Sequence, residues 1–348
     1  QAEDGIRDVE RSRGLGDVYK RQIYDDFGFS FKKITTLIEN GLKEIGYKFV
    51  HKVGGHSAIY IPKNYKSIIM TDIILAVKWG WVSRYLQFTD KLVLWCDTPL
   101  SLEHIVNQIE LINENTCNYV VLPYFYKVYR KYGIRVDGYI PRPIDVDTAS
   151  KVCNEAKCND LRKQYGDYVI TVAGDQILIP PKKPRKGLDM YDKLCEYLKS
   201  KYRINCVAVS NWIYFKNVHR IKFGSLSEYE LFRLIKCAKL FVWTSRAEGF
   251  GLPPLEAMAV GQLVVSSNNP TNELIHGIKF RYDTVEKVFM PEIQCYYYAF
   301  EYKFEDLKEA VDYALNIDED ERLKITNEAR ELAKLYHPRY ISQLLVEV

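Results

Sequence analysis

From Ile23 onward, short apolar runs alternate with amphipathic helical stretches, the pattern of a parallel sheet covered by helices. In the first half the pattern predicts strands at Ile23–Tyr24, Ala58–Ile61, Ile73–Val77, Lys91–Trp95, Tyr119–Leu122 and Gly138–Ile140. Helices are expected over Phe31–Ile45, Leu102–Ile112 and Tyr124–Tyr132, with Gly46 ending the first. The alternation pauses at Pro141-Arg142-Pro143-Ile144-Asp145, and the polar stretch that follows to Tyr165 reads as a linker. It then restarts with strands at Tyr168–Ala173, Ile204–Val209, Leu240–Trp243 and Leu263–Ser266. Between these come helices over Leu188–Lys201, Glu228–Cys237 and Pro253–Val260, and the tail from Phe304 to Leu345 is mostly helical.

The 326 residues from Ile23 onward exceed what one hydrophobic core normally spans, so two domains are expected. Two successive open α/β sheets place the carboxyl ends of their strands, and therefore their ligands, along a crevice. The first domain is assigned to 23–148 and the second to 149–329, with a helix at about 330–348 packing back onto the first. Gln1–Asp8 and Ser12–Gln22 resemble the conceptual translation of a sequencing-library adapter. Residues 1–22 are therefore expected to be non-native and disordered, with some native residues lost before Ile23.

Composition narrows the function. Lys and Arg number 49 against 45 Asp and Glu, a net charge of +4, too mild for a nucleic-acid binder without a basic stripe. The eight cysteines are scattered, with no CxxC and no zinc spacing, and read as mostly reduced thiols of a cytoplasmic protein. No apolar run reaches membrane-spanning length, because the best candidate, Ile68–Val77, is broken by Asp72. Membrane contact is expected to be peripheral at most.

The chemistry concentrates in Ser245-Arg246-Ala247-Glu248-Gly249-Phe250-Gly251-Leu252-Pro253-Pro254-Leu255-Glu256. It reads as a strand end, a glycine loop and a helix start. Gly249 and Gly251 let the backbone approach a ligand closely, and the helix start is an anion site by virtue of its dipole and free N–H groups. Glu256 is expected in the first helical turn, with Glu248 on the loop before it. Lys182-Lys183-Pro184-Arg185-Lys186-Gly187 forms a basic loop opening another helix. Asp145-Val146-Asp147 is comparable to a metal-binding DxD motif, and its place in the junction loop marks it as linker chemistry. No metal is expected.

Glu248 and Glu256, with GFGLPPL between them, resemble the EX7E motif of retaining glycosyltransferases with the GT-B fold, the "glycosyl transferases group 1" family. Gly224-Ser225-Leu226 is similar to the family's nucleotide-contacting loop, Gly261–Ser267 to its G-x-P-V-V-x-S strand, Glu273 to the acidic residue after it, and Tyr139–Asp145 to its domain junction. The resemblance implies two Rossmann-like domains facing each other across a cleft. It gives Glu248 the hydroxyls of the transferred sugar and Glu256 the ribose. Backbone at Gly249, Phe250, Gly251 and Leu252 would lie along the diphosphate, and Lys186 would act as the donor-phosphate lysine. The Asp25–Ser30 loop with Gly28 resembles the family's glycine loop near donor and acceptor.

Two departures stand out. Where the family has Arg after the glycine ending the first strand of the second domain, Gly174 is followed by Asp175, and Arg185 or Lys183 is the candidate replacement. Where the family places a His facing the donor sugar, Trp95-Cys96-Asp97-Thr98-Pro99 has none, and Asp97 is the candidate that accepts from the sugar, with a structural role equally open. The expectation is transfer from a nucleotide-diphosphate sugar to an acceptor hydroxyl, with retention and without metal or cofactor. The acceptor, whether glycan, lipid or protein, is left open. An epimerase or phosphorylase chemistry, or a non-catalytic nucleotide-sugar binding protein, remain as alternatives.

Overall fold

The structure, a computed structural model, describes residues 20–24, 29–47, 50–54, 67–70, 82–83, 86–87, 92–96, 108–174, 177–179, 182–290 and 295–347. The first sheet is built from β1 (Lys20–Tyr24), β2 (Val50–Gly54), β3 (Ser67–Met70), β4 (Leu92–Cys96), β5 (Thr116–Val120) and β6 (Gly138–Tyr139). Its helices are α1 (Phe29–Glu44), α2 (Ile109–Asn115) and α3 (Pro123–Lys131). The strands run in the order β2-β1-β3-β4-β5-β6, and every pairing is parallel. All five residues of β4 are buried, as a parallel strand covered on both faces requires.

The second sheet follows α4 (Val146–Glu155) and α5 (Asn159–Tyr165). It begins with β7 (Tyr168–Ala173), the short pair β8 (Leu178–Ile179) and β9 (Lys183–Pro184), α6 (Leu188–Tyr202), β10 (Asn205–Ser210), β11 (His219–Ile221) and α7 (Glu228–Lys236). It continues through β12 (Phe241–Trp243), α8 (Leu252–Ala259), β13 (Val264–Ser267) and β14 (Ile278–Phe280). A hairpin of β15 (Thr284–Met290) and β16 (Cys295–Glu301) and three helices, α9 (Phe304–Asn316), α10 (Glu319–Lys334) and α11 (Pro338–Glu347), complete the chain. The order β11-β10-β7-β12-β13-β14, again all parallel, is that of a dinucleotide-binding Rossmann sheet.

The last helix reaches the first sheet's covering layer. Helix α11 lies against α1, where the Ser342 hydroxyl donates to the Ile38 carbonyl at 3.1 Å. Gly41 permits the approach: a Cβ there would stand 2.3 Å from the Pro338 carbonyl oxygen. Ile144 also donates its backbone N–H to the Tyr336 carbonyl at 3.0 Å, tying the junction to the end of α10.

Several elements differ from the pattern reading. Residues Lys20–Gln22, set aside on sequence grounds as disordered, form the start of β1 and pair with both β2 and β3. Strand pairing uses backbone groups, which any non-proline residue supplies. The polar stretch after Asp145 is two helices rather than a linker; the Asp145 carboxylate caps the first by accepting from the Thr148 N–H at 2.9 Å. The strands expected at Ala58–Ile61 and Ile73–Val77 lie outside the described residues, whereas β2, β3, β11, β14 and the β15–β16 hairpin were not anticipated. Four cysteines are not free thiols, since Cys158–Cys237 and Cys195–Cys206 are disulfide-bonded. Spacing along the chain carried no sign of either pairing, because both are made across packed elements. Among the described residues no helix is long and apolar enough to cross a membrane.

Candidate active site at the switch point of the second sheet

In the second sheet the strand order reverses between β7 and β12, and an open α/β sheet binds its ligands outside the carboxyl ends of its strands at that point. The chain leaves β7 through Gly174 and returns along the basic loop 182–187. It leaves β12 into Thr244–Gly251. Topology therefore brings the Lys186 loop and the Glu248 loop to one place from positions about 60 residues apart in sequence.

Arg246 holds the two loops together. Its guanidinium is 2 % exposed, donates to both Asp189 carboxylate oxygens at 2.7 and 2.8 Å, and donates to the Pro184 carbonyl at 2.8 Å. Its Nε faces Glu301 at 3.3 Å, while its backbone N–H and carbonyl bond Arg185 and Phe300. Burial pulls the guanidinium's pKa down, but the Asp189 bond and charge together with Tyr302 and Glu301 outweigh it, so the group stays charged. The Tyr302 hydroxyl donates to the Thr244 carbonyl at 2.6 Å, and the Thr244 hydroxyl donates to the Lys186 carbonyl at 3.0 Å. Gly187 lies in this contact with φ of +65°, and a Cβ there would fall 1.8 Å from the Thr244 oxygen.

Lys186 is thereby set against Glu248. Its ammonium donates to both carboxylate oxygens, at 2.6 and 2.7 Å, and lies 5.2 Å from the Trp243 ring centre. Side-chain exposure is 12 % for the lysine and 5 % for the glutamate, so this is a nearly dry pair and not a surface one. The helix tip beside it contributes less than expected. Gly251, at φ of +83°, is the N-cap, so Pro253 and Pro254 occupy the second and third helical positions and have no N–H to offer. Donors at the tip come from the 249–252 backbone, and Lys186 places a full positive charge beside them. The Phe250 side chain turns away into the core, edge-on to Tyr336 at 6.4 Å.

Glu256 stands in the second turn of α8, not the first, because the helix begins at Leu252. It is 3 % exposed and accepts from Lys33 of α1 at 2.5 Å. The same ammonium also pairs with Glu228, the first residue of α7. One lysine from the first sheet's helix layer thus faces two carboxylates of the second. Burial pulls the Lys33 ammonium down, but Glu256 and Glu228 together hold it above its ordinary value. Burial and the neighbouring Glu256 push the Glu228 carboxyl up.

Helix α7 is capped by Ser227 and Glu230, which places the Gly224 loop beside this group, with Gly224 at φ of +80°. The Phe223 ring lies over Gly174, 2.9 Å from where a Cβ would sit. Arg185 donates to the Ala247 carbonyl at 2.9 Å, and Lys183 pairs with Glu301 at 3.1 Å. Both basic residues therefore brace the loops. Glu273 accepts from the Tyr124 backbone N–H at 2.8 Å, another contact between the two halves. Asp147 faces His337 at 3.3 Å. Gly28, Asp97 and Asp175 lie outside the described residues.

Sequence reasoning missed Lys33, Glu228, Asp189 and the role of Arg246. Lys33 reads as one more cation on the polar face of an amphipathic helix. Arg246 carried a signal, an arginine three residues past a buried strand, which generally needs a buried partner.

The fold and this site define a class: an α/β protein of GT-B architecture, with paired charges at a nucleotide-binding switch point. The chain is similar to a solved glycosyltransferase of Rickettsia africae, at 14% identity, a TM-score of 0.70, and coverage of 96% of this chain and 98% of that one. It is similar in the same way to the structure described as "Trehalose-6-phosphate from E. coli bound with UDP-2-fluoro glucose", at 10% identity, a TM-score of 0.62, and coverage of 90% and 76%. Residues 182–277, which hold both loops, match the family described as Glycosyl transferases group 1. A protein named as a glycosyltransferase in Sulfolobus islandicus filamentous virus is 24% identical over 261 residues, covering 74% of this chain and 85% of the relative. The chain is a glycosyltransferase with a group 1 domain.

Proposed function

We propose that the protein moves a sugar from a nucleoside-diphosphate sugar to an acceptor hydroxyl, with retention at the anomeric carbon and without a metal ion. The observation that carries this reading is the dry Lys186–Glu248 pair at the switch point. The diphosphate lies along the 249–252 backbone with Lys186 against it, Glu248 bonds the hydroxyls of the transferred sugar, and Glu256 takes the ribose. The bond between the anomeric carbon and the diphosphate oxygen breaks. The acceptor oxygen forms its bond to that carbon on the same face, and its proton passes to the departing phosphate oxygen. Negative charge grows on the leaving diphosphate, and a preorganised cation in a water-poor site stabilises it most where that charge develops. In the unliganded pair, Glu248 holds the lysine side chain aimed. Donor binding then shares that ammonium between carboxylate and phosphate.

The test is a panel of nucleotide sugars, assayed for thermal stabilisation and for release of nucleoside diphosphate with a panel of acceptors. Stabilisation by at least one nucleotide sugar is expected, and Glu248→Ala should abolish transfer. Full transfer by Glu248→Ala overturns the assignment of that residue. Donor binding with no turnover across the acceptors points to a binding protein, and an isomerised donor sugar points to an epimerase.

A further inference from the structure

The opposite end of α8 from the donor tip closes on an open cavity of about 320 Å³. Its walls are α4, the end of α7, the turn at Gly261 and Gln262, and α10. Helix α8 has eight residues, so the cavity lies roughly 12 Å along the helix axis from the proposed donor site. Three cations line it, Lys236, Arg322 and Arg330, against one carboxylate, Glu319.

None of these cations makes a direct ion pair, although Glu319 acts on Arg322 and Glu331 on Arg330 from further away. Lys236 lies 3.4 Å from the Gly261 carbonyl, and Arg330 donates to the Cys153 sulfur, a weak acceptor, at 3.1 Å. Arg322 donates to the Lys239 carbonyl and lies 3.4 Å from the Gln262 amide oxygen. Among the described residues no carboxylate oxygen comes within 4.0 Å of any of the three. Burial also pulls the Arg322 guanidinium below its ordinary value, with Glu319 opposing the shift only in part. Gly261 opens the floor. The point where its Cβ would stand is 3.4 Å from Lys236 Nζ, 3.6 Å from Cys153 Sγ and 3.8 Å from Arg330 Cδ, so these side chains converge on one spot. Like charges gathered in a concave site repel one another, and an anion seated among them relieves that repulsion and gives the guanidinium forks acceptors.

We infer that this cavity is a second, anion-binding site, remote from the donor site, that takes a small soluble molecule carrying a phosphate or diphosphate group. The volume suits a compact ligand at the lower end of known pockets. Two arginines and a lysine match phosphate oxygens, which accept several charge-assisted bonds at once.

Cys153 is a free, partly exposed thiol in the cavity wall and provides a local reporter. The full chain is treated with N-ethylmaleimide in the presence of inorganic pyrophosphate or of sodium chloride at matched ionic strength, and alkylation is followed residue by residue by peptide mass spectrometry. Pyrophosphate is expected to slow alkylation of Cys153 about tenfold at about ten times its half-protecting concentration, as simple occupancy requires, and to leave Cys117 unaffected. Arg330→Gln and Arg322→Gln should each lose most of that protection, measured as the ratio within each variant. Should Arg322→Gln fail to fold for want of its bond to the Lys239 carbonyl, Lys236→Gln reads out the same effect. Protection no greater than that given by sodium chloride, or equal protection in the variants, overturns the proposal. Binding of pyrophosphate near Lys186 does not enter the readout, because the reporter thiol is at the other end of the helix.

Discussion

Replacing Lys186 with methionine is expected to remove both the chemistry and much of the local stability, and the two losses are separable. The substitution keeps the aliphatic stem and deletes the ammonium, leaving a Glu248 carboxylate that is 5 % exposed with no cation against it. Breaking a buried pair by removing one partner costs about 3–5 kcal/mol, most of it from the charge left behind. For a folded unit of about 150–250 residues, each kcal/mol moves the melting temperature by roughly 2–4 °C, so a drop of about 6–20 °C is expected by calorimetry or dye fluorescence. Glu248→Gln added to Lys186→Met neutralises the stranded carboxylate and should recover most of that drop. It should not recover donor binding. In the wild type a nucleotide sugar at about 100 times its dissociation constant adds about 2.7 kcal/mol; both the single and the double variant should show little of this shift. A Lys186→Met protein that melts with the wild type and keeps its donor-induced stabilisation would refute the reasoning, since neither a dry ion pair nor a phosphate contact would then exist.

Other expectations follow from the same geometry. Lys33→Met leaves Glu256 and Glu228 facing each other without a cation and should weaken both stability and donor binding, read by calorimetry and donor titration. Because the folded Glu228 carboxyl binds its proton more tightly than an unfolded one, stability withheld at neutral pH returns as pH falls through the raised folded value toward the ordinary one. Glu228→Gln should therefore melt no lower than wild type at pH 8, with the two converging under acid conditions; a large deficit at every pH would count against this. Gly187→Ala, with its Cβ 1.8 Å from a backbone oxygen, should prevent accumulation of folded protein, whereas Gly251→Ala, whose nearest contact would be 3.7 Å, should cost about 1–2 kcal/mol for the left-handed backbone alone. Reducing Cys158–Cys237, which closes a loop of 79 residues, should lower stability by about 4–5 kcal/mol on loop entropy, against about 3 for Cys195–Cys206. Equal melting with and without reductant would refute both disulfides.

What the amino-acid order determined by itself was local. Alternating apolar runs and capped amphipathic stretches gave most elements of the second sheet to within a residue or two, with Tyr168–Ala173 matching at both ends. The glycine and proline pattern placed the loop from Glu248 to the start of α8, because those residues restrict φ and hydrogen bonding wherever they occur. Short or polar strands such as Val50–Gly54 and His219–Ile221 escaped, since a strand of three to five residues earns its place from neighbours and not from its own composition. Tertiary structure alone decided which charges meet. Lys186 and Glu248, Lys33 and Glu256, Arg246 and Asp189, and Lys236 and the arginines of α10 lie far apart in the chain. Coulomb attraction and burial act through space, so only the completed packing of two sheets and their helices sets each partner and its dryness.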